Sequence, residues 1–356
     1  MDMKKTSTAR ILWRGILWFF IVVILFVAGF LAWQTVTEFK PEAAINLTIE
    51  GEATTIGDTL TLTTYNIGYC GLGAEMDFFY EGGTMARPTE KQLQKYEAGV
   101  IERLHDFEQS DFILLQEVDT LSRRSWYSNQ FDLITGSFPD YNACFALNYE
   151  AWVPLPVTNP MGKVRAGLLT LSRAVPESAV RMAFNSGYSW PMSLFMLKRC
   201  FLITRFKTKQ GNDLVLINTH NSAFSDAAKI RKTELAQLKS VMEEEYAKGN
   251  YVMIGGDWNQ NPTTFDTTLL SRNYLPKIID PPIPIDFLPE GWKFVYDSEH
   301  STNRDVNIPY TEGITRTTLI DFFVISPNIE PFSVQAIATG FSESDHQPVT
   351  ATVVLR

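Results

Sequence analysis

The chain has 356 residues, 45% hydrophobic and 20% charged, ordinary proportions for a globular protein that exclude a large disordered region. Its net charge is −9; residues 1–14 carry Lys4, Lys5, Arg10 and Arg14 against Asp2, a net +3, so the remainder holds −12. A body this acidic argues against broad nonspecific binding to a phosphate backbone, which relies on Lys and Arg, though not against a local basic groove.

The first element is Ile16 to Trp33, eighteen residues without a charge or a proline, behind a basic start. About 20 apolar residues span a hydrocarbon core, and a snorkelling end absorbs Arg14. Trp13, Trp18 and Trp33 lie near the ends, as interfacial aromatics do. The run is long and bulky for a secretory signal peptide, and Ala28-Gly29-Phe30 and Leu31-Ala32-Trp33 make poor cleavage sites. An uncleaved signal anchor is therefore favoured, with secretion after cleavage as the alternative. The positive charges precede the span, which predicts a cytoplasmic segment 1–15, a span 16–33, a polar linker 34–56 and an extracytoplasmic body 57–356.

In the body, strand-like runs recur near 58–66, 111–117, 165–172, 200–207, 213–219, 251–256, 318–325, 333–339 and 347–355. Thr89 to Phe107 places Leu93, Tyr96, Val100, Leu104 and Phe107 close to helical spacing. Asp226 to Tyr246 repeats this with Ile230, Leu235, Leu238, Val241 and Met242, with Ser225 or Asp226 as N-cap. Cys70 to Pro88, Asn148 to Lys163 and Pro281 to Thr315 lack periodicity and are expected as long surface loops. Together these predict an α+β or layered α/β body around a packed sheet. Cys70, Cys144 and Cys200 have no C-x-x-C spacing and cannot all pair, so they are read as small buried thiols.

Six polar motifs punctuate the body: Tyr65-Asn66, Gln116-Glu117, Asn218-Thr219-His220, Gly256-Asp257-Trp258-Asn259, Ile320-Asp321-Phe322 and Ser344-Asp345-His346. Most follow a buried apolar run, where carboxylates, amides and imidazoles cost several kcal/mol each if left unpaired. They are expected to converge on one polar site at a sheet edge. Hydrolysis of a phosphate ester needs a hard divalent cation on oxygen ligands, and Glu117 is the natural carboxylate for it. Asn66 supplies an amide that binds the metal or orients a carboxylate, and Asp345 is a further metal or water ligand. Asp257 is the candidate to position the attacking water, and Asn259 to hold a phosphoryl oxygen. Of the four histidines, His220 and His346 fall within the motifs, with Asp321 placed to fix one imidazole's tautomer. Gly-x-Ser-x-Gly and H-E-x-x-H are both absent, which disfavours a serine hydrolase elbow and a zincin helix.

The ordered set TYNIG, LLQEVD, INTH, GGDWN, IDFFVIS and SDHQPV resembles the endonuclease/exonuclease/phosphatase superfamily, across about residues 57–356. That superfamily includes deoxyribonucleases, inositol polyphosphate 5-phosphatases and neutral sphingomyelinases. The resemblance implies an α/β (α+β) fold, a four-layered sandwich with two packed mixed β-sheets, here preceded by the N-terminal helix. It implies a Mg²⁺ cofactor, with Mn²⁺ or Ca²⁺ as alternatives, held by Asn66, Glu117 and Asp345. It further implies His220, Asp257, Asn259, Asp321 and His346 as catalytic residues, Asn259 also binding substrate. Arg173, in LTLSR after a strand, sits where relatives often carry a Ser-Arg, and is the second candidate for substrate binding.

The expected activity is metal-dependent hydrolysis of a phosphate ester, with a lipid headgroup or inositol phosphate as first choice because the anchor holds the site near a bilayer. The loops around Trp152 and Trp190-Pro191 are candidates to touch that interface. An extracytoplasmic nuclease using Arg123-Arg124 or Lys229, Arg231 and Lys232 is the alternative, disfavoured by the acidic body. A catalytically inactive membrane-tethered module is a third; it predicts loss of a motif residue, and none is lost. No obligate protein partner is evident from the sequence.

Overall fold

The computed structural model describes residues 3–223, 228–266, 275–276 and 281–356. The apolar N-terminal stretch forms one helix, α1 (Met3–Val36). Its segment Ala9–Val36 is long and apolar enough to cross a membrane, by length and composition. Among the described residues the further α-helices are α2 (Glu90–His105), α3 (Gln130–Ser137) and α4 (Ala228–Ala247).

The strands, in chain order, begin with β1 (Ala44–Asn46), β2 (Thr55–Ile56), β3 (Thr59–Asn66), β4 (Phe112–Asp119), β5 (Asn142–Val153) and β6 (Gly162–Ser172). They continue with β7 (Ser178–Ala183), β8 (Cys200–Thr208), β9 (Asp213–His220), β10 (Tyr251–Asp257), β11 (Leu275–Pro276) and β12 (Lys293–Val295). The last are β13 (Asn303–Arg304), β14 (Arg316–Thr318), β15 (Asp321–Ile325), β16 (Ile329–Ala336) and β17 (Val349–Leu355). One sheet runs β1-β7-β8-β9-β10-β15-β12, with β2 beside β8; the other runs β16-β17-β3-β4-β6-β5. Both are mixed: β9 and β10 pair in parallel, as do β3 and β4, within otherwise largely antiparallel neighbours. A small third sheet joins β11, β14 and β13.

Strands buried on both faces need cover on both, and the core shows how they get it. Leu60, Leu62, Phe112 and Leu114 of the second sheet pack on Phe206, Leu216, Met253 and Phe323 of the first. The outer face of the second sheet (Ile113, Leu115, Leu169, Leu171) is covered by Leu93, Tyr96, Val100 and Leu104 of α2. The outer face of the first (Val215, Ile217, Val252, Ile254) is covered by Leu235, Leu238 and Met242 of α4. The result is helix, sheet, sheet, helix, the expected four-layered sandwich. Helix α2 starts where the pattern predicts, in a capping box between Thr89 and Gln92. The expected N-cap of α4, Ser225 or Asp226, lies outside the described residues. All three cysteines are free and buried.

Three stretches differ from expectation, of which Pro281 to Thr315, expected as a loop, carries β12 and β13, short strands paired with β15 and β14. Asn148 to Lys163, expected as one long loop, contributes the end of β5 and the start of β6, which pair from Asn142↔Ser172 to Val153↔Gly162. The prolines that signalled a loop (Pro154, Pro156 and Pro160) are confined to the tip between those strands, where no ladder donor is lost. The polar stretch 34–56, expected as a linker, is tied to the body: β1 pairs with β7 and β2 with β8.

Candidate active site

Strand register does most of the assembly. Asp257, the last residue of β10, pairs with His220 of β9 on one side and Asp321 of β15 on the other. In the facing sheet, Asn66 ends β3 opposite Gln116 of β4, and Val349 pairs with Thr64, so the segment carrying Asp345 and His346 enters β17 at the same edge. The motifs thus meet where the ends of two sheets face each other. Gln116 Nε2 donates to Asn218 Oδ1 at 2.8 Å, and Asn218 Nδ2 donates to Leu115 O and Leu169 O at 3.2 and 3.1 Å. These two motif residues therefore tie sheet to sheet, and their polar groups are used by the architecture.

Local backbone shape explains the small residues. Gly256 has φ +146°, and a Cβ there would lie 2.0 Å from Thr219 O, so a side chain would force β9 and β10 apart. Gly68 has φ +51°, and its Cβ would meet Asp345 Oδ1 at 2.7 Å. Glu117 sits at φ 57° in the bulge between Leu115 and Val118, an unfavourable conformation for a residue with a side chain. A bulge re-aims the side chain it carries, and Glu117 is left partly accessible among otherwise buried β4 residues. Asn259 shares the trait, at φ 51°.

Within the cleft the groups hold one another. Asp257 accepts from Asn66 Nδ2 at 3.0 Å on Oδ2 and from the Asn259 amide at 2.9 Å on Oδ1. His220 Nε2 lies 3.4 Å and His346 Nε2 3.6 Å from Asp257 Oδ2. His346 Nδ1 pairs with Asp321 Oδ2 at 2.8 Å, and Thr302 Oγ1 accepts from the Ile320 and Asp321 amides at 3.0 Å. Asp345 Oδ2 is 3.9 Å from His346 Nε2. Ser344 Oγ donates to Asn66 O at 2.9 Å, fastening the last motif to the first. Trp258, fully buried, stacks on Phe322 with centroids 5.1 Å apart and donates to Phe322 O, which locks the turn after Asp257.

The two imidazoles are driven in opposite directions. Burial disfavours charge on His346, but Asp321, Asp257 and Asp345 together outweigh it and raise its pKa, so it is held protonated. For His220 burial acts in the same direction as the nearby cations Arg199 and His346, and its pKa falls well below the usual value. Burial raises the carboxyl of Asp257, reinforced by Asp321 and opposed by His346, and it raises Glu117 against the pull of Arg124. A crowd of buried carboxylates that resist ionisation is the electrostatic signature of a cation site.

The donor set fits a hard divalent ion. Glu117 and Asp345 offer carboxylate oxygens at the cleft beside the Asp257–Asp321–His346 cluster, whose polar atoms lie within 4.8 Å of one another, and Asp321 Oδ1 is buried without a hydrogen-bond partner; the protonated His346 is not itself a ligand. Oxygen-rich sites with one or two free carboxylates suit Mg²⁺-like ions better than thiolate-loving metals.

Of the residues expected at the site, Asn66, Glu117, His220, Asp257, Asn259, Asp321, Asp345 and His346 come together. In its present orientation Asn66 serves Asp257, since its Oδ1 accepts from the Gly68 amide at 3.0 Å. Arg173 does not join them. It follows β6, whose Ser172 pairs with Phe112 at the start of β4, the end opposite Glu117. There its guanidinium donates to Glu108 O and to Tyr141 Oη. The antiparallel run of β6 against β4 puts the end of that motif on the far rim.

Three site residues escaped the motif reading. Arg124 makes a fork with Asp119 (2.9 and 3.0 Å), stacks over Tyr69 and approaches Glu117 to 3.6 Å. Its spacing from Asp119 was visible, but only the short helical turn at Arg123–Ser125 folds it back. Asn303 Nδ2 lies 3.0 Å from His346 Nε2 through an isolated bridge between the two residues. Arg199 donates to His220 O at 3.1 Å beside a cleft lined by Tyr188, Ser222 and Glu234. Neither Asn303 nor Arg199 sits in a motif.

A two-sheet sandwich with a carboxylate, amide and imidazole cleft between its sheet ends defines a metal-dependent hydrolase of phosphoester bonds. The profile of the Endonuclease/Exonuclease/phosphatase family matches residues 63–346, and the chain belongs to that family. No curated protein matches it by sequence. Among solved structures it resembles an endonuclease/exonuclease/phosphatase from Bacteroides vulgatus (16% identity, 84% of this chain and 99% of that one, TM-score 0.53). It also resembles the human Nocturnin catalytic domain with bound sulfate (15% identity, 86% and 97%, TM-score 0.53) and D. rerio TDP2 complexed with single-strand DNA product (14% identity, 83% and 99%, TM-score 0.52).

Proposed function

We propose that the chain is a single-pass membrane phosphoesterase: residues 1–15 cytoplasmic, 16–33 spanning, and the catalytic body from residue 57 outside the cytoplasm. The carrying observation is the convergence of Asp257, Asp321, His220 and His346, with Asn66, Glu117 and Asp345, between the two sheet ends. Mg²⁺ is the proposed ion, held by Glu117 with Asp345 and Asn66; it supplies charge neutralisation at the phosphoryl and leaving oxygens.

The chain's own groups do the rest. Asp257, oriented by Asn66 and the Asn259 amide, takes a proton from the attacking water. His346, kept protonated by Asp321, presents Nε2–H to a phosphoryl oxygen. His220, neutral, and the Asn259 side chain hold the remaining phosphoryl oxygens, and Arg199 adds positive charge beside them. A nucleic-acid substrate is disfavoured by the acidic body and by its candidate basic strip. Arg124 is buried against Asp119, and Arg123 donates to Pro160 O and Asn159 Oδ1.

The test is a panel with the full chain and Mg²⁺: bis-p-nitrophenyl phosphate, inositol phosphates, phospholipids, sphingomyelin and plasmid DNA. Turnover of a phosphate ester that is lost in Asp257→Ala is expected. Cleavage of DNA alone would overturn the substrate ranking, and unchanged turnover in Asp257→Ala would overturn the site.

A further inference from the structure

The apolar helix and the catalytic body are not independent. The last turns of α1 are gripped by the body: Phe30 packs on Trp152 and Phe195 with centroids 5.6 and 6.1 Å apart, and Trp33 on Trp152 at 6.5 Å. Gln34 is buried and donates to Trp152 O at 2.8 Å, and Trp190 Nε1 donates to Thr35 Oγ1 at 3.2 Å. Glu38 pairs with Lys198 at 2.5 Å, and β1 then joins the sheet edge. The chain from helix to body therefore has no free tether.

The grip also sets a depth. From Ile11 to Val27 the apolar side chains of α1 are almost all exposed, and partial burial begins at Phe30. A hydrocarbon core takes about 20 helical residues. The proposed span 16–33 ends where Phe30 and Trp33 meet the body, so Trp33, Trp152 and Trp190 fall at the interfacial level that tryptophans favour. Two loop tips flank the helix there with large apolar groups in solvent: Leu155 and Val157 (46% and 82% exposed) and Trp190 and Met192 (60% and 53%).

The same register places the cleft beside this collar. Asp119 pairs with Ala166 while Val153 pairs with Gly162, so the β5–β6 tip stands about 13 Å beyond Asp119 on the active-site side. In the other sheet Phe201 pairs with Thr219, and Ala183 with Cys200, so the loop 184–199 leaves and returns level with His220. Tyr149 Oη donates to Phe195 O at 2.9 Å and joins the two projections.

We propose that the collar formed by residues 154–157 and 190–192 sits in the bilayer interface around α1, and that the substrate is a phosphate ester carried by a lipid of that same membrane. The second half rests on the phosphoesterase reading of the cleft. A site held against the bilayer meets lipid headgroups by lateral diffusion, with no need to capture a ligand from bulk solvent.

The test uses the full chain reconstituted in phosphatidylcholine vesicles containing phosphatidylglycerol, sphingomyelin and phosphatidylinositol 4,5-bisphosphate. Val157→Cys and Met192→Cys, each labelled with an environment-sensitive fluorophore while the three native cysteines stay buried, should be quenched severalfold more by nitroxide lipids than labelled Phe332→Cys. Phe332 is 80% exposed, no less open than Met192 and close to Val157, but it lies at the opposite end of its sheet from Asn66. Equal quenching at all three overturns the seating. Val157→Asp with Met192→Asp should lower release of phosphate-bearing headgroup from the vesicles about tenfold, as a loss of interfacial contact of that size would. Turnover of soluble bis-p-nitrophenyl phosphate should be unchanged in the same protein. Cleavage of the soluble ester with no vesicle lipid attacked overturns the lipid substrate and leaves the phosphoesterase reading standing. Failure on both overturns that reading itself.

Discussion

The cleft and the collar are built from opposite materials although they share one end of the molecule. In the cleft the groups that matter sit at strand ends or in bulges, are mostly buried, and are fixed by side-chain hydrogen bonds and ion pairs to one another, Asp257 and His346 above all. In the collar they are apolar, sit on loop tips, and are joined to the rest mainly by aromatic stacking and a few backbone contacts. Strand register positions atoms to tenths of an ångström, as bond making requires; a loop tip against a fluid interface requires only apolar area. On the proposal above, the difference separates what performs the reaction from what chooses where it happens.

The comparison is open to attack at both regions. The largest effect is expected on removing divalent ions: EDTA should bring turnover of bis-p-nitrophenyl phosphate to background, and added Mg²⁺ should restore it, followed by colorimetric assay. Next, His346→Ala should cost on the order of 10²–10³-fold in kcat, since it removes a charged hydrogen-bond donor to the phosphoryl oxygen, while circular dichroism stays unchanged. Activity within tenfold of the parent would assign His346 to structure alone.

Asp119→Ala leaves Arg124 buried without its fork partner, so the expected loss is stability, roughly 3–5 kcal/mol, read from the unfolding midpoint in detergent. At the collar the penalties should be smaller. Trp152→Ala removes two ring contacts from the seam and should cost about 1–3 kcal/mol of local stability, seen as faster hydrogen exchange at residues 30–38 with the β-sheet amides unaffected. Smallest of all, Glu38→Gln should change stability by at most about 1 kcal/mol, because its pair with Lys198 is partly solvated. A large effect there would show that polar contacts, more than rings, hold helix to body.

What could be read along the chain follows this same division. The strand-end motifs were legible because a charged or amide side chain after a buried apolar run has few structural uses, and eight of the nine expected site residues meet in the cleft. Arg173 failed since its motif reads as a strand end but gives no direction, and antiparallel β6 carries that end away from Glu117. Gln116 and Asn218 were legible as polar residues but not as the bond between sheets. The hairpin of β5 and β6 was hidden because its prolines spoke for a loop, when they mark only its tip.

By itself the chain determined the apolar span, the acidic body, the alternation of buried runs with motifs and, through them, the class of chemistry. These are local properties, carried by composition, period and residue type. Only the tertiary structure decided that Arg124 folds back on Asp119 and Glu117, that Asn303 reaches His346, and that the supposed linker clasps the body and lays its helix beside the cleft. Those contacts join residues far apart in sequence or turned by a single backbone bend. Nothing in the period of a sequence encodes which remote partner a side chain will meet.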